Sequence, residues 1–177
     1  MKKPIPVLAL ILLLIIAASC SPSIPEGAKA VSPFDSEKYL GKWYEIARID
    51  FKHEKNLNNT TAEYSMKEDG TIKVDNRGFN TRNQEWEQAI GKAKFVKDKN
   101  VAMLKVSFFG PFYSGYNVIA IDDDYQYALV AGKNFDYLWI LSRTTEIPED
   151  VKNDYLGIAS SVGYDTNRLL WVEHTNQ

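Results

Sequence analysis

Side chains able to do acid–base, nucleophilic or metal chemistry are scarce in this sequence of 177 residues. The two histidines, His53 and His174, lie far apart, and neither has neighbours at a spacing typical of metal ligands. No Gly-x-Ser-x-Gly motif is present to expose a nucleophilic serine. Glu45 is the one carboxylate that a strand pattern directs inward, so no pair of acid–base carboxylates is evident. The sequence therefore predicts no catalytic residue, no metal site and no cofactor.

The single cysteine, Cys20, is the residue best placed for covalent chemistry. An apolar run from Val7 to Ala18, preceded by two lysines, has the length and charge of a secretory signal peptide rather than of a membrane span. The small residues before Cys20 resemble the cleavage box of bacterial lipoproteins, in which the cysteine is acylated and becomes the first mature residue. The alternative is an ordinary signal peptide cut near Ser19, which would leave an unpaired thiol in an exported protein.

These features divide the chain into three segments. Residues 1–19 are predicted to be a lipoprotein signal peptide, residues 20–32 a lipidated N-terminus and extended tether, and residues 33–177 one folded domain. Removal of the signal peptide takes away Lys2 and Lys3, so the formal net charge of −2 becomes −4. Because the sequence has no cluster of lysine or arginine, nucleic acid is not an expected partner. Attachment to a membrane would depend on acyl chains at Cys20.

Short alternating patterns dominate the rest of the chain. Leu104, Val106 and Phe108, for example, alternate with Lys105 and Ser107. Eight such segments follow one another between residues 41 and 143 with short connections, and eight antiparallel strands can close around one small ligand. The spacing then becomes helical between Pro148 and Gly163, and residues 169–172 form a last apolar strand. The predicted fold is all-β: an eight-stranded antiparallel up-and-down β-barrel with one C-terminal α-helix and a short ninth strand.

Counting hairpins assigns every connection to one end of this barrel. The eighth strand delivers Arg143 to the end at which Trp43 begins the first strand. A guanidinium stacked on an indole face is a favourable pairing, and it would close that end. The long connection of residues 50–59 and the loop of residues 110–115 lie at the opposite end, which is the predicted mouth.

Three groups of residues resemble the signature motifs of the lipocalin family. They are Gly41-x-Trp43 before the first strand, residues 124–130 leading into and along the seventh, and Arg143 at the end of the eighth. The runs 108–120 and 136–143, together with the leader, are similar to the bacterial outer-membrane lipocalins. The resemblance implies that Gly41, Trp43 and Arg143 serve the fold, while the cavity holds a fatty acid or lysophospholipid. It also implies a lipid anchor in the outer membrane, with the domain facing the periplasm.

Strand parity predicts which side chains face this cavity. The predicted ligand-binding set is aromatic and aliphatic and comprises Tyr64, Val106, Phe108, Tyr116, Val118, Tyr137, Trp139 and Leu141. Strict alternation also turns Ala47 and Ala120 inward. Tyr116 and Tyr137 are expected to hold their hydroxyl groups near the mouth, and Trp43 is expected to stop an acyl chain at the closed end.

Three functions stay open at this point. The first is a lipid-anchored lipocalin that binds and stores or transports lipophilic molecules in the cell envelope. The second is a structural or adaptor lipoprotein with a filled barrel and no transported ligand, and the third, with least support, is an enzyme on the same scaffold. A homodimer is compatible with each of them.

Overall fold

The structure is a computed structural model, and it describes residues 24–175. Within those residues the chain forms nine strands and two α-helices. In chain order these are α1 Ser36–Tyr39, β1 Gly41–Ile49, β2 Leu57–Met66, β3 Ile72–Asn80, β4 Glu85–Phe95, β5 Met103–Ser107, β6 Ser114–Ile121, β7 Tyr127–Ala131, β8 Leu138–Ser142, α2 Glu149–Val162 and β9 Leu169–Trp171. A 3₁₀ helix, Thr166–Arg168, leads into β9.

The sheet closes into a barrel because β1 pairs with both ends of the meander. Strands β2 to β8 pair antiparallel in chain order, and β1 then pairs with β8 on one side and with β2 on the other. Tyr44 lies opposite Ser142 in the β1–β8 seam and opposite Thr61 in the β1–β2 seam. Strand β9 pairs outside the barrel with the last residues of β1. This arrangement confirms the predicted all-β fold.

The barrel has two apolar layers, because α2 covers one side of its outer surface. The inner layer fills the lower barrel and includes Tyr64 and Leu104. The outer layer lies between the sheet and α2, where Ile140 packs in one cluster with Tyr155 and Ala159 of the helix. Strands β1, β7 and β8 are therefore apolar on both faces, as strands covered on both sides are expected to be.

Two β-bulges interrupt the alternation on which the inward predictions were based. In β1 the register shifts between Glu45 and Ala47, so Ala47 lies under α2 and Arg48 turns back toward Glu45. In β6 the register shifts between Val118 and Ala120, which places Ala120 in the outer layer. Each bulge adds one residue to its strand and inverts the parity beyond it. The predictions that Ala47 and Ala120 face inward are therefore wrong.

The segment before α1 is packed on the barrel rather than extended in solvent. Pro25 is buried, and the backbone of Val31 exchanges hydrogen bonds with Val118 and Ala102. Cys20 and the predicted signal peptide lie outside the described residues. In residues 24–175, no helix is both long and apolar enough to cross a membrane.

Candidate functional site

Arg143 and Trp43 close the lower end of the barrel. The guanidinium carbon of Arg143 lies 3.7 Å from the centre of the Trp43 ring, which is fully buried. The guanidinium also donates hydrogen bonds to four backbone carbonyl oxygens, those of Lys38, Leu40, Lys42 and Tyr125. This is the stacked pair that the sequence predicts, and the four carbonyls fix its position.

Gly41 lies beside that pair in a backbone conformation that residues with side chains rarely adopt. Its φ of +91° lies in the region that favours glycine, and a Cβ atom there would lie 3.6 Å from Nη1 of Arg143. The indole nitrogen of Trp43 donates to the carbonyl oxygen of Tyr39 at 2.8 Å, so the ring is held from both sides. Gly41, Trp43 and Arg143 thus form the closed end and do not line the cavity described below.

Three tyrosines form a polar floor above Trp43. The hydroxyl of Tyr116 lies 2.6 Å from that of Tyr39 and 2.8 Å from that of Tyr64. The Tyr39 ring packs on Trp43 with ring centres 5.0 Å apart. Burial raises the pKa of all three hydroxyls, so they stay neutral hydrogen-bonding groups. The expectation that Trp43 itself ends the cavity is therefore replaced by a floor of tyrosines one layer higher.

A cavity of about 560 Å³ occupies the barrel above this floor. Its volume is that of a typical small-molecule site, and its walls are mostly aromatic and aliphatic. Seven of the eight predicted ligand-binding residues line it: Tyr64, Val106, Phe108, Tyr116, Tyr137, Trp139 and Leu141. Exposed lining residues such as Phe109, Phe112 and Lys133 belong to the loops at the predicted mouth, so the cavity opens there.

Two predictions about the lining need correction. Val118 is fully buried in the inner layer below the cavity and is not part of its wall. Tyr116 lines the cavity, but its hydroxyl lies at the floor with Tyr39 and Tyr64 rather than near the mouth. Parity says on which side of a strand a residue lies, whereas the depth of a side chain also depends on strand tilt.

Aromatic rings form the wall near the mouth. Tyr137 and Trp139 are stacked with ring centres 6.2 Å apart, and Phe51 meets both rings edge-on at 5.3 Å and 5.9 Å. Phe51 comes from the long connection between β1 and β2, which the sequence assigns to the mouth without giving its conformation. Such edge-to-face pairs are favourable arrangements of aromatic rings, and here they shape the entrance.

A cluster of acidic side chains around Arg48 lies beside this aromatic wall. Arg48 is fully buried and contacts Glu45 at 2.8 Å, Asp50 at 3.0 Å and Glu54 at 3.9 Å. It also donates to the carbonyl oxygens of Glu54 and Leu57. Three carboxylates thus surround one guanidinium, and that guanidinium is already occupied by protein acceptors.

Glu54 is the polar group of this cluster that sequence reasoning missed. Its carboxylate accepts a hydrogen bond from the indole nitrogen of Trp139 at 3.0 Å, and both side chains line the cavity. Burial, together with the nearby Glu45, raises the pKa of Glu54 well above its ordinary value of 4.5. Burial also raises the pKa of Glu45, against the opposing effect of Arg48. Glu54 lies in a loop, where alternation gives no signal of direction.

Within residues 24–175, no three His, Cys, Asp or Glu side chains are grouped so as to hold a metal ion. The histidine nearest the cavity, His53, packs its ring on Phe51 with centres 6.2 Å apart. The geometry of the site is therefore that of a binding cavity with an apolar wall, a tyrosine floor and one acidic cluster.

Comparison with known proteins identifies this architecture. A family model described as a lipocalin-like domain matches residues 34–174. The chain is 48% identical over 170 residues to outer membrane lipoprotein Blc of Citrobacter freundii, covering 96% of each chain. It is 48% identical over 159 residues to the protein of the same name from Escherichia coli K12, covering 90% of each. Temperature-induced lipocalin-1 of Arabidopsis thaliana is 35% identical over 150 residues, covering 80% of each chain.

A solved structure agrees in fold. Insecticyanin from the tobacco hornworm, Manduca sexta, superposes with a TM-score of 0.70 at 21% identity and covers 88% of each chain. The bacterial relatives are named as outer membrane lipoproteins, which supports the predicted lipid-anchored location at the outer membrane. The barrel, its apolar cavity and the match over most of its length agree, and the chain belongs to the lipocalin-like family, whose fold binds small lipophilic molecules.

Proposed function

We propose that this lipocalin binds a single-chain lipid, such as a fatty acid or a lysophospholipid, and stores or transports it in the cell envelope. The observation that carries the proposal is the cavity of about 560 Å³ with aromatic and aliphatic walls. An apolar chain that leaves water for such a cavity gains free energy with every buried methylene group. The proposed ligand contacts are Tyr64, Val106, Phe108, Tyr116, Tyr137, Trp139 and Leu141.

The proposed anchor is Cys20. We infer that residues 1–19 are removed as a lipoprotein signal peptide and that acyl chains on Cys20 hold the domain of residues 33–177 at the membrane, facing the periplasm. One acyl chain binds a membrane only marginally, whereas several chains anchor a protein stably.

The ligand's chain is proposed to lie along the barrel axis with its polar end toward the mouth. The tyrosine floor would meet the end of the chain, since Tyr39, Tyr64 and Tyr116 span the bottom of the cavity. Tyr137 and Trp139 would contact the first carbons below the polar end, because they form the wall beside the entrance.

A titration against chain length tests this proposal. Saturated fatty acids and 1-monoacylglycerols of increasing length are titrated into the protein and followed by calorimetry or by quenching of tryptophan fluorescence. Affinity should rise roughly fourfold per added CH₂, the equivalent of about 0.8 kcal/mol, until the chain reaches the tyrosine floor. Trp139→Phe should weaken binding, because Trp139 lies beside the first carbons and supports Glu54.

A matched pair of substitutions controls for the added bulk of a ring. Val106→Trp places an indole in the cavity, so the ligands with the longest chains should no longer bind. Ile90→Trp places the same group on the exposed outer side of β4 and should bind as the wild type does. If affinity is flat with chain length, or short soluble anions bind as well as long ones, the lipid-binding proposal is wrong.

Binding rather than catalysis is the proposed role of the cavity. In the described part of the chain, the carboxylates of Glu45 and Glu54 have no hydrogen bond to a histidine, serine or cysteine and contact Arg48 and Trp139 instead. An adaptor without ligand would show no bound lipid in native mass spectra of the protein purified from its membrane. A homodimer stays a prediction, and sedimentation equilibrium of the domain measures it.

A further inference from the structure

Several hydrogen-bond donors inside the cavity are already paired, although the buried hydroxyl of Ser107 has no partner. The indole N–H of Trp139 is donated to Glu54, and the tyrosine hydroxyls of the floor bond to one another. The guanidinium of Arg48 is shared among carboxylates and two carbonyl oxygens. Glu54 is left as the carboxyl group beside the aromatic wall that an entering ligand meets.

The charges of the lining are sorted by depth. Glu45 and Glu54 lie inside, where their side chains are 10% and 16% exposed. The cationic or titratable lining residues His53, Arg77 and Lys133 are exposed at the rim, as is Glu87. Arg77 is engaged by Asp75, and the ammonium of Lys133 lies 5.8 Å from the centre of the Tyr137 ring. Among the residues that the structure describes, the lysine and arginine that line the cavity, Lys133 and Arg77, are therefore both exposed, and Arg48 does not line it.

We propose that Glu54 is a specificity-determining residue, which selects single-chain lipids whose polar end carries a neutral or cationic hydrogen-bond donor and disfavours an ionised carboxylate. This inference rests on the proposed lipid-binding function and names the head group that the same cavity prefers. Burial favours the neutral form of Glu54, so an ammonium group beside it gains by stabilising the ionised carboxylate with a charge-assisted hydrogen bond. A hydroxyl group can donate to either form. A ligand carboxylate meets like charge in a poorly solvated place whenever Glu54 is ionised.

The arrangement of Arg48 explains why it does not rescue an anionic ligand. A carboxylate that reached Arg48 would have to displace Glu45 or Asp50, each of which lies within 3.0 Å of the guanidinium. A displaced Glu45 would be left without its cation in a buried place, and a buried charge without its partner is strongly unfavourable. Asp50 is exposed and could turn to water, but Arg48 itself does not line the cavity. Arg48 therefore fixes the acidic cluster rather than receiving the ligand.

Three ligands with the same twelve-carbon chain test the proposal: 1-monododecanoylglycerol, dodecylamine and dodecanoate. Each is titrated at pH 8 into wild-type protein, Glu54→Gln and the control Glu63→Gln, in which an exposed carboxylate on the outer side of β2 is replaced. The wild type and Glu63→Gln should bind the glyceride and the amine about tenfold or more tightly than dodecanoate. Glu54→Gln should bind dodecanoate more tightly and dodecylamine more weakly. The ratio of their two dissociation constants should therefore fall at least fivefold relative to the wild type.

The outcomes separate this inference from the function on which it rests. If the affinity for 1-monoacylglycerols does not depend on their chain length, the proposed lipid-binding function itself is wrong. If chain length matters but dodecanoate binds the wild type as tightly as the glyceride, the role of Glu54 is wrong. The same conclusion follows if Glu54→Gln, folded by circular dichroism and cooperative in urea, keeps the wild-type preference among the three ligands.

Discussion

Replacing Arg143 by methionine removes the group that closes the barrel while keeping a long apolar side chain. The carbonyl oxygens of Lys38 and Lys42 are exposed and regain water, so their lost bonds cost little. The bonds to Leu40 and Tyr125 are half-buried and contribute about 1 kcal/mol each. The guanidinium stacked at 3.7 Å on the buried Trp43 ring adds about 1–2 kcal/mol. We expect Arg143→Met to lower the free energy of unfolding by about 3–4 kcal/mol.

Urea unfolding followed by far-ultraviolet circular dichroism measures this change, and a chain-length titration of the same variant measures its effect on binding. Arg168→Met is the matched control, because Arg168 makes one ion pair with Asp136 in which both side chains are largely exposed. That pair should contribute less than about 1 kcal/mol. A loss for Arg143→Met no larger than that of the control, or a changed ligand preference, would refute the assignment of Arg143 to the closed end.

The remaining predictions concern the ring beneath Arg143, the anchor and the acidic cluster. Trp43→Ala should lower the free energy of unfolding by ~3–5 kcal/mol in urea, because a fully buried ring is lost; unchanged melting with altered ligand preference would place that ring in the cavity. Cys20→Ala should leave the membrane fraction on ultracentrifugation, and membrane association like that of the wild type would contradict acylation. The raised pKa of Glu54 means that the folded state holds its proton more tightly than the unfolded state, so this group's contribution to stability falls as pH rises above 4.5. Between pH 5 and pH 8, the free energy of unfolding of Glu54→Gln should therefore fall less than that of the wild type. If urea unfolding gives the same pH dependence for both proteins, the burial of this carboxylate is contradicted.

The strand order and the closed end could be predicted from the sequence, because both depend on patterns between residues close together in the chain. Alternation locates each strand, and hairpin parity brings Trp43 and Arg143 to one end without any knowledge of side-chain contacts. The observed stack at 3.7 Å confirms that reasoning. The family motifs agree with it, since they mark the same residues.

The interior was harder to predict, for two physical reasons. The bulges at Glu45–Ala47 and Val118–Ala120 reverse which side of the sheet the later residues of each strand face. Neither bulge contains a glycine or proline from which it could be predicted. Glu54 lies in a loop whose path is set by Arg48, which bonds the carbonyl oxygen of Glu54. The contact between Arg48 and the carbonyl oxygen of Glu54 forms only because the bulge in β1 turns Arg48 inward. Strict alternation therefore cannot predict it.

The seam between β1 and β8 also has consequences for how fast the protein folds. Tyr44 pairs with Ser142 there, and Arg143 bonds the carbonyl oxygen of Lys42 across 101 positions of the chain. Contacts so distant in sequence slow folding, because the loop entropy is lost before the contacts stabilise anything. Until they form, β1 and β8 are open edges with unpaired backbone groups that can pair with another chain. After closure neither edge is left to fray, so we expect a barrel that assembles slowly and, once assembled, opens slowly.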